Sequence, residues 1–220
     1  MRKFILVLSI LLFPPGQAQA DVSVGFGFSA PGISVGINLP AYPRLIPVPG
    51  YPVYYDPALP YNYFFYDGLY WVLTGDDWYA SSWYNGPWYR AERESVPLYL
   101  LRVPVRYYRN PPPYFRGWQR DAPPRWGEHW GRDWGQRHEG WDRWNRHDVP
   151  RAAPLPSYQK RYQGDRYPGR QEQQRSIESS RYRYQPREPA TRQYYQQRRE
   201  APQGQERGSR RGDRGHDRDH

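Results

Sequence analysis

The fold is decided by residues 62–89, which read NYFFYDGLYWVLTGDDWYASSWYNGPWY. Aromatic runs are separated there by Asp67-Gly68, by Gly75-Asp76-Asp77 and by Asn85-Gly86. Asp-Gly and Asn-Gly favour tight hairpins because both central positions of a type I′ turn need a positive φ. The stretch therefore predicts an antiparallel β-meander with strands at 62–66, 69–74 and 78–84 and a fourth strand after Pro87.

Both faces of this predicted sheet carry aromatic side chains, because successive residues of a strand point to opposite sides. Leu69, Trp71 and Leu73 share one face, and Tyr70 and Val72 lie on the other. The aliphatic residues at 96–105 would complete one core, with prolines limiting them to a short helix or an irregular strand. A proline just before the fourth strand places that strand at an edge of the sheet.

The aromatic residues of the remaining face allow two interpretations. Their rings present flat apolar surfaces with polar rims, which suit sugar rings and cationic groups. The same side chains would also fill a core that is poor in Leu and Ile. The candidate stacking face, a ligand-binding site under the first interpretation, consists of Tyr70, Tyr79, Trp83, Trp88 and Tyr89.

A second aromatic pattern lies in the Trp/Gly-rich segment at 111–148. On a helix, five tryptophans would fall on one side, which predicts either packing on the sheet or a membrane or partner interface. The interleaved glycines each cost a helix roughly 1 kcal/mol relative to Ala, so such a helix is marginal until its stripe is covered. The candidate interface stripe is Trp126, Trp130, Trp134, Trp141 and Trp144.

The N-terminal residues 1–20 have the three parts of an export signal: Arg2 and Lys3, an apolar run at 4–13, and Ala18-Gln19-Ala20. The apolar run is about half of the roughly 20 residues that a membrane span needs. No later segment is long and apolar enough, so the mature chain is predicted to have no transmembrane span. The chain also contains no cysteine, which excludes disulfides and thiol catalysis.

Two flanking segments precede the predicted sheet. Residues 21–39 alternate apolar residues with Gly and Ser around Pro31-Gly32, which predicts a β-hairpin arm. The arm would either dock on the following domain or act as an adhesive edge. Residues 40–60 are spaced by prolines and indicate an extended connector to the aromatic domain at 61–110.

Charge separates the C-terminal third from the rest. Residues 21–148 hold 13 basic and 13 acidic side chains, whereas residues 149–220 hold 17 basic and 9 acidic ones. The latter stretch is rich in Arg, Gln, Pro and Gly and has almost no aliphatic residue. It cannot bury enough apolar area to offset its chain entropy, so we predict a disordered basic tail. The fold class is therefore mainly β: a small antiparallel β-meander with a short Trp-rich helix, flanked by extended and disordered arms.

Four sequence strings carry a resemblance: NYFFYDG at 62–68, WYASSWYNGPW at 78–88, RVPVRYY at 102–108 and PRWGEHW at 124–130. They resemble a group of uncharacterised exported, aromatic-rich proteins of Gram-negative bacteria, described by WxxGxW or YxWGxW-type repeats. The resemblance implies a location in the periplasm or outer envelope. It brings no established activity and no site residues.

No catalytic constellation is found in the sequence, which predicts a protein that is not an enzyme and uses no cofactor. His129, His138 and His147 are nine residues apart, which places successive ones on opposite sides of a helix. His216 and His220 could bind a divalent ion weakly, and a metal-responsive protein stays an alternative. No metal site is otherwise predicted.

The sequence favours a non-enzymatic cell-envelope protein. Its aromatic domain would contact an envelope glycan or an outer-membrane protein, and its cationic tail would contact anionic surfaces such as lipopolysaccharide. The alternative is polyanion or nucleic-acid binding through the Arg- and Tyr-rich tail. Export argues against nucleic acid as the partner.

Overall fold

A six-stranded antiparallel sheet lies at the centre of this computed structural model, which describes residues 36–39, 41–161, 173, 176–177 and 184–200. Each strand pairs with its neighbours in the sequence, so the sheet is a simple meander. The predicted mainly-β fold class is confirmed. The strands are β1 (Ile46–Pro47), β2 (Tyr54–Tyr55), β3 (Asn62–Tyr66), β4 (Leu69–Thr74), β5 (Asp77–Ser81) and β6 (Tyr89–Ala91).

Short helices surround the sheet within the described residues. The α-helices are α1 (Leu98–Leu101), α2 (Trp126–His129), α3 (Arg132–Arg137), α4 (Ser157–Arg161) and α5 (Pro189–Glu200), and single 3₁₀ turns lie at Arg93–Ser95, Val105–Tyr107 and Pro113–Phe115. None of these helices is long and apolar enough to span a bilayer.

The hairpin between β3 and β4 forms as the sequence predicts. Its two turn residues, Asp67 and Gly68, have φ values of 49° and 91°, and Tyr66 pairs with Leu69 across the ladder. Asp tolerates the left-handed region because its short side chain can hydrogen-bond locally, and Gly has no Cβ to clash. The next hairpin turns over Gly75 and Asp76, of which only Gly75 has a positive φ, at 61°.

One face of the sheet packs against the segment that follows it. Leu69, Trp71 and Leu73 of β4 are buried there, as the alternation predicts. The aliphatic residues around 96–105 cover them, including the predicted short helix, which is α1. The core on this face includes Phe64, Tyr66, Trp78, Ala80, Leu100, Leu101, Val103, Phe115 and Trp126.

The opposite face forms a second core rather than a free surface. Tyr63, Phe65, Tyr70 and Val72 point to this side and are almost fully buried. They are covered by segments from both flanks of the sheet: Ile37, Leu39, Tyr42, Trp83, Tyr84, Trp88, Ala153 and Tyr158. The sheet is therefore buried on both faces.

Two predictions about the strands are wrong. The predicted connector at 40–60 contains β1 and β2, which extend the sheet to six strands. The predicted third strand ends at Ser81 instead of 84, and Asn85-Gly86 is not a two-residue hairpin turn. Trp83 and Trp88 turn into the second core here, and burying these two large rings outweighs a tight turn. Strand β6 does lie at an edge, as predicted.

Asn85 instead holds the end of the N-terminal arm. Its Oδ1 accepts a hydrogen bond from the backbone N–H of Leu39 at 2.8 Å, and its Nδ2 donates to the Leu39 carbonyl at 3.1 Å. Ile37 and Leu39 are buried against the sheet. The described end of the arm is thus docked, while the predicted hairpin at 21–39 otherwise lies outside the described residues, as does the predicted signal at 1–20.

The Trp/Gly-rich segment is not one helix. Gly131, with φ 94° and ψ 169°, separates α2 from α3, a backbone conformation that is essentially restricted to glycine. The two helices approach closely at Gly127 and Gly135, where a Cβ on Gly127 would lie 3.9 Å from the Cα of Gly135. The glycines therefore break and pack the helices rather than merely weaken one.

The prediction that residues 149–220 take no fold is wrong for part of that stretch. Helix α5 packs on the sheet, and its Thr191 and Tyr194 are buried. Asp67 receives the segment before α5, since its carboxylate accepts from the backbone N–H groups of Arg187 at 3.0 Å and Glu188 at 2.9 Å. A chain with few aliphatic residues folds here because the sheet supplies the core. Residues 201–220 lie outside the described part.

Candidate functional site

The candidate site is a groove of about 490 Å³ on the surface of the loop at 105–120. Backbone hydrogen bonds from Val105 N to Ala122 O (3.0 Å) and from Arg106 N to Arg120 O (2.9 Å) close this loop. Prolines at 111–113 stiffen its far end because their φ is fixed. The groove lining is Val105, Arg106, Tyr108, Arg109, Pro111, Pro112, Pro113, Phe115, Arg116, Trp118 and Arg120.

The floor of the groove is anchored in the first core. Phe115 is buried, with its ring 5.1 Å from Tyr108 and 5.6 Å from Trp126. Tyr108 in turn lies 5.1 Å from Phe64 of β3. Because these inward side chains are fixed by the core, the outward neighbours Arg109 and Arg116 project from a rigid base.

Positive charge dominates the walls. Arg109, Arg116 and Arg120 are exposed, and none of them forms an ion pair with any residue that the structure describes. Arg106 pairs with Asp121, which lies outside the lining, at 2.7 Å. The lining contains no acidic side chain. Three guanidinium groups thus face the groove without a neutralising partner.

Trp118 supplies a large half-buried ring beside these arginines. Its ring stacks on Phe115 with centroids 4.6 Å apart and an interplanar angle of 30°. Tyr114 supports it from another side at 5.8 Å. An aromatic ring and proline rings next to free guanidinium groups can bind a ligand that has both an apolar ring face and an anionic group.

The predicted stacking face does not exist as one surface. Tyr70, Trp83 and Trp88 are 0, 7 and 1% exposed and belong to the second core. Tyr79 packs partly against that same core, whereas Tyr89 packs against the first, on the other side of the sheet, 5.6 Å from Tyr194. For Tyr70, Trp83 and Trp88 the core interpretation is therefore correct and the ligand-binding interpretation is wrong.

The predicted interface stripe is mostly buried as well. Trp126, Trp130 and Trp134 lie in the first core, with Trp126 6.2 Å from Trp78 of β5 and donating its indole N–H to the Leu101 carbonyl at 3.0 Å. Packing on the sheet is the correct alternative for these three. Trp141 and Trp144 are half-buried.

A network of charged groups surrounds a smaller hollow of about 250 Å³ at the β4–β5 turn. Asp76 contacts His129 Nε2 at 2.5 Å and Arg93 Nη2 at 2.8 Å. The His129 ring stacks on Tyr114, with centroids 3.7 Å apart. Burial and the charge of Asp76 raise the pKa of the Tyr114 hydroxyl. Because these groups pair with one another, the network ties the turn to α2.

The groove arginines were missed by the sequence reasoning because charge was averaged over 21–148, where it sums to zero. A narrower window would have found them, since residues 102–120 contain five arginines and no acidic residue. Which of these arginines stay unpaired depends on the loop geometry. Arg102, for example, is buried and donates to the Trp141 carbonyl.

Within the described residues, no group of three or more His, Asp or Glu side chains could hold a metal ion. His216 and His220 lie outside that part of the chain. In comparisons with known proteins, no family model, no curated protein and no solved structure matches this chain.

Proposed function

We propose that this protein is an exported, non-enzymatic cell-envelope protein that binds an anionic envelope glycan or glycolipid in the groove at 105–120. The observation that supports the proposal is a set of three arginines, Arg109, Arg116 and Arg120, that line one groove with the half-buried Trp118 and form no ion pair with any described residue. Location in the periplasm or outer envelope is part of the proposal and rests on the export signal at 1–20.

Arginine chemistry favours an anionic group as the ligand. A guanidinium presents a planar fork of donors that matches a carboxylate or a phosphate, and it stays charged at every physiological pH. These exposed arginines form no ion pair with any described residue, which leaves their donors available. Trp118 adds the flat surface on which the apolar face of a sugar ring can pack.

The proposal moves the cationic contact from the tail to the folded domain. The sequence placed it in residues 149–220, which carry +8 of the chain's net charge of +10. In the structure, part of that segment belongs to the folded domain, since α5 packs on the sheet. Residues 201–220 hold five arginines and four acidic residues, a net charge of +1, and the experiment tests separately whether they add to binding.

The test is co-sedimentation of the chain without residues 1–20 against peptidoglycan sacculi and lipopolysaccharide vesicles. One variant carries Arg109→Gln, Arg116→Gln and Arg120→Gln. The matched control carries Arg44→Gln, Arg132→Gln and Arg151→Gln, which remove the same charge from other exposed arginines. A chain that ends at Glu200 removes the terminal charges and keeps α5.

We expect the groove variant to lose at least about tenfold in bound fraction at limiting ligand, because each charge-assisted hydrogen bond contributes about 1.5–3 kcal/mol. The control and the chain ending at Glu200 should retain most of their binding. Near-UV circular dichroism checks that all variants keep the aromatic core. Equal losses in the groove variant and its control would mean that net charge alone drives binding, and the groove would then be rejected as the site.

A further inference from the structure

The basic and aromatic surface extends beyond the groove. From Arg106 on its wall, the surface continues over Tyr107 and Tyr51 to Trp144 and Arg146. We call these five residues the strip. They come from three separate parts of the chain, namely the 3₁₀ turn at Val105–Tyr107, the β1–β2 connection, and the segment after α3.

Direct ring contacts link each end of the strip. The guanidinium of Arg106 lies 5.0 Å from the centre of the Tyr107 ring. At the other end, Tyr51 and Trp144 have ring centroids 5.7 Å apart, and the guanidinium of Arg146 lies 5.6 Å from the Trp144 ring. Arg102, below the strip, also faces Trp144 at 4.9 Å.

The hairpin of β1 and β2, which carries Tyr51, lies between the two ends of the strip. Burial raises the pKa of its hydroxyl, and the positive charge of Arg146 opposes that rise, as do the charges of Arg106 and Arg102. Tyr107 acts on the same hydroxyl in the direction of burial. Tyr107 meets the edge of the Tyr55 ring at 5.0 Å, and Tyr55 lies in β2, directly after the β1–β2 connection that carries Tyr51, so both ends of the strip meet at this hairpin.

The rings of the strip are half-buried, and the heads of Arg106 and Arg146 are exposed. Rings held between neighbours lose little conformational freedom when a ligand binds. Arg106 already donates to Asp121 and to the Tyr107 hydroxyl, whereas Arg146 forms no ion pair with any described residue, so Arg146 and the groove arginines supply the donors for the ligand's acceptor groups. The geometry therefore suits a ligand with acceptor groups at intervals along its length rather than one compact anion.

We propose that a linear polysaccharide that carries repeated carboxylate or phosphate groups binds along the strip and the groove together. This inference rests on the proposed function and names its ligand class. The groove would hold one end of the bound segment, and the region around Trp144 and Arg146 would hold the other.

A single-stranded nucleic acid would use the same charges but would need open ring faces for its bases. Here guanidinium groups lie over Tyr107 and Trp144, and the edge of Tyr55 meets Tyr107 at 5.0 Å. Ring faces that are already occupied leave sugar hydroxyls and anionic groups as the better match, since these need donors more than stacking surfaces.

The test measures affinity against ligand length by calorimetry, with oligogalacturonates of two to eight sugar residues as the probe. The variant Arg146→Gln removes the charge at the far end of the strip, and Arg132→Gln is its matched control on another exposed surface. Arg116→Gln weakens the groove itself. Charge-matched oligothymidylates form a parallel series.

For the wild-type protein, we expect the dissociation constant to fall at least about tenfold from the dimer to the octamer, as added contacts become intramolecular. The Arg146→Gln variant should bind the two-sugar ligand normally and lose most of the increase in affinity with ligand length, whereas Arg132→Gln should keep that increase. Comparing variants at the same lengths cancels the statistical benefit of a longer ligand. Arg116→Gln should weaken binding at every length.

A gain that is the same in Arg146→Gln and in the wild type would overturn the extended path, and binding that Arg116→Gln still weakens would leave the groove in place. If the unsubstituted protein binds neither sacculi nor lipopolysaccharide vesicles in the sedimentation assay, the proposed function is rejected instead. Oligothymidylates that show the same gain and the same sensitivity to Arg146→Gln would overturn the assignment to polysaccharide.

Discussion

Asp67→Asn should detach the C-terminal segment from the sheet. Asp67 is 3% exposed and lies in the tight turn between β3 and β4 with φ 49°. Its carboxylate accepts from Arg187 N at 3.0 Å, from Glu188 N at 2.9 Å and from the Tyr184 hydroxyl at 2.8 Å. Asn tolerates the same left-handed backbone, so the substitution changes the charge and one acceptor but not the turn.

The magnitude follows from these three hydrogen bonds. A hydrogen bond to a charged group contributes about 1.5–3 kcal/mol, and a neutral one contributes about 0.5–1.5 kcal/mol. Asn can keep the contact with the Tyr184 hydroxyl by donating to its oxygen, and its remaining oxygen can face the two backbone N–H groups. The loss is therefore about 1 kcal/mol per bond, or about 2–3 kcal/mol in total.

Two assays measure the effect. Urea unfolding followed by near-UV circular dichroism should show the lower free energy of unfolding, which corresponds to a fall in Tm of about 5–10 °C for a chain of this size. Trypsin should cleave faster after the exposed Arg192, because local opening of α5 costs less than global unfolding. Asp121→Asn is the control, since this exposed carboxylate forms one surface ion pair and should change stability by less than about 1 kcal/mol. Unchanged stability together with unchanged cleavage in Asp67→Asn would refute the docking role.

Three further substitutions test other parts of the fold. Trp126→Ala should lower the free energy of unfolding by about 3–5 kcal/mol in urea titrations, because it empties a fully buried site. A loss under about 1 kcal/mol would contradict the place of Trp126 in the core. Gly131→Ala should cost about 1–3 kcal/mol in the same titrations because of its positive φ, whereas Gly127→Ala, in a helix with ordinary contacts around the added Cβ, should leave stability unchanged or raise it by up to about 1 kcal/mol. Burial raises the pKa of Glu188 above its ordinary value, so the folded state holds a proton more tightly than the unfolded state, and stability is lost as pH rises from about 4.5 through the raised pKa. Glu188→Gln removes this loss, so unfolding measured from pH 4 to 8 should show the variant gaining on the wild type as pH rises, and parallel curves would contradict the assignment.

The centre of the fold could be predicted from the sequence because its signals are local. An Asp-Gly pair between alternating aromatic runs specifies a hairpin and its register without help from distant residues. The register then fixes which of Leu69 to Leu73 face each side of the sheet. The aliphatic segment around α1 follows, since it is the nearest cover for one of those faces.

The misses share a physical cause, which is that the deciding contacts are distant in sequence. Asn85-Gly86 has a strong local turn signal, yet Trp83 and Trp88 gain more by entering the second core. Helix α5 has a composition that predicts disorder, yet Tyr194 is 1% exposed because it packs on residues more than 100 positions away. A composition rule counts only the apolar area that a segment itself carries, and it fails where another segment supplies the core.

A sheet that is aromatic on both faces explains why so many flanking segments are ordered. Each uncovered face would expose a large apolar patch, which soluble proteins avoid. Within the described residues, short pieces from both sides of the sheet in the sequence cover these faces: the arm near Leu39, the loop at 105–120, α2 and α3, and α5. The aromatic side chains of these covering segments face the sheet, so their polar neighbours occupy the exposed side. In the loop at 105–120 those neighbours are arginines with no acidic residue among them, and the positive groove follows from the way that loop must turn its aromatic residues inward.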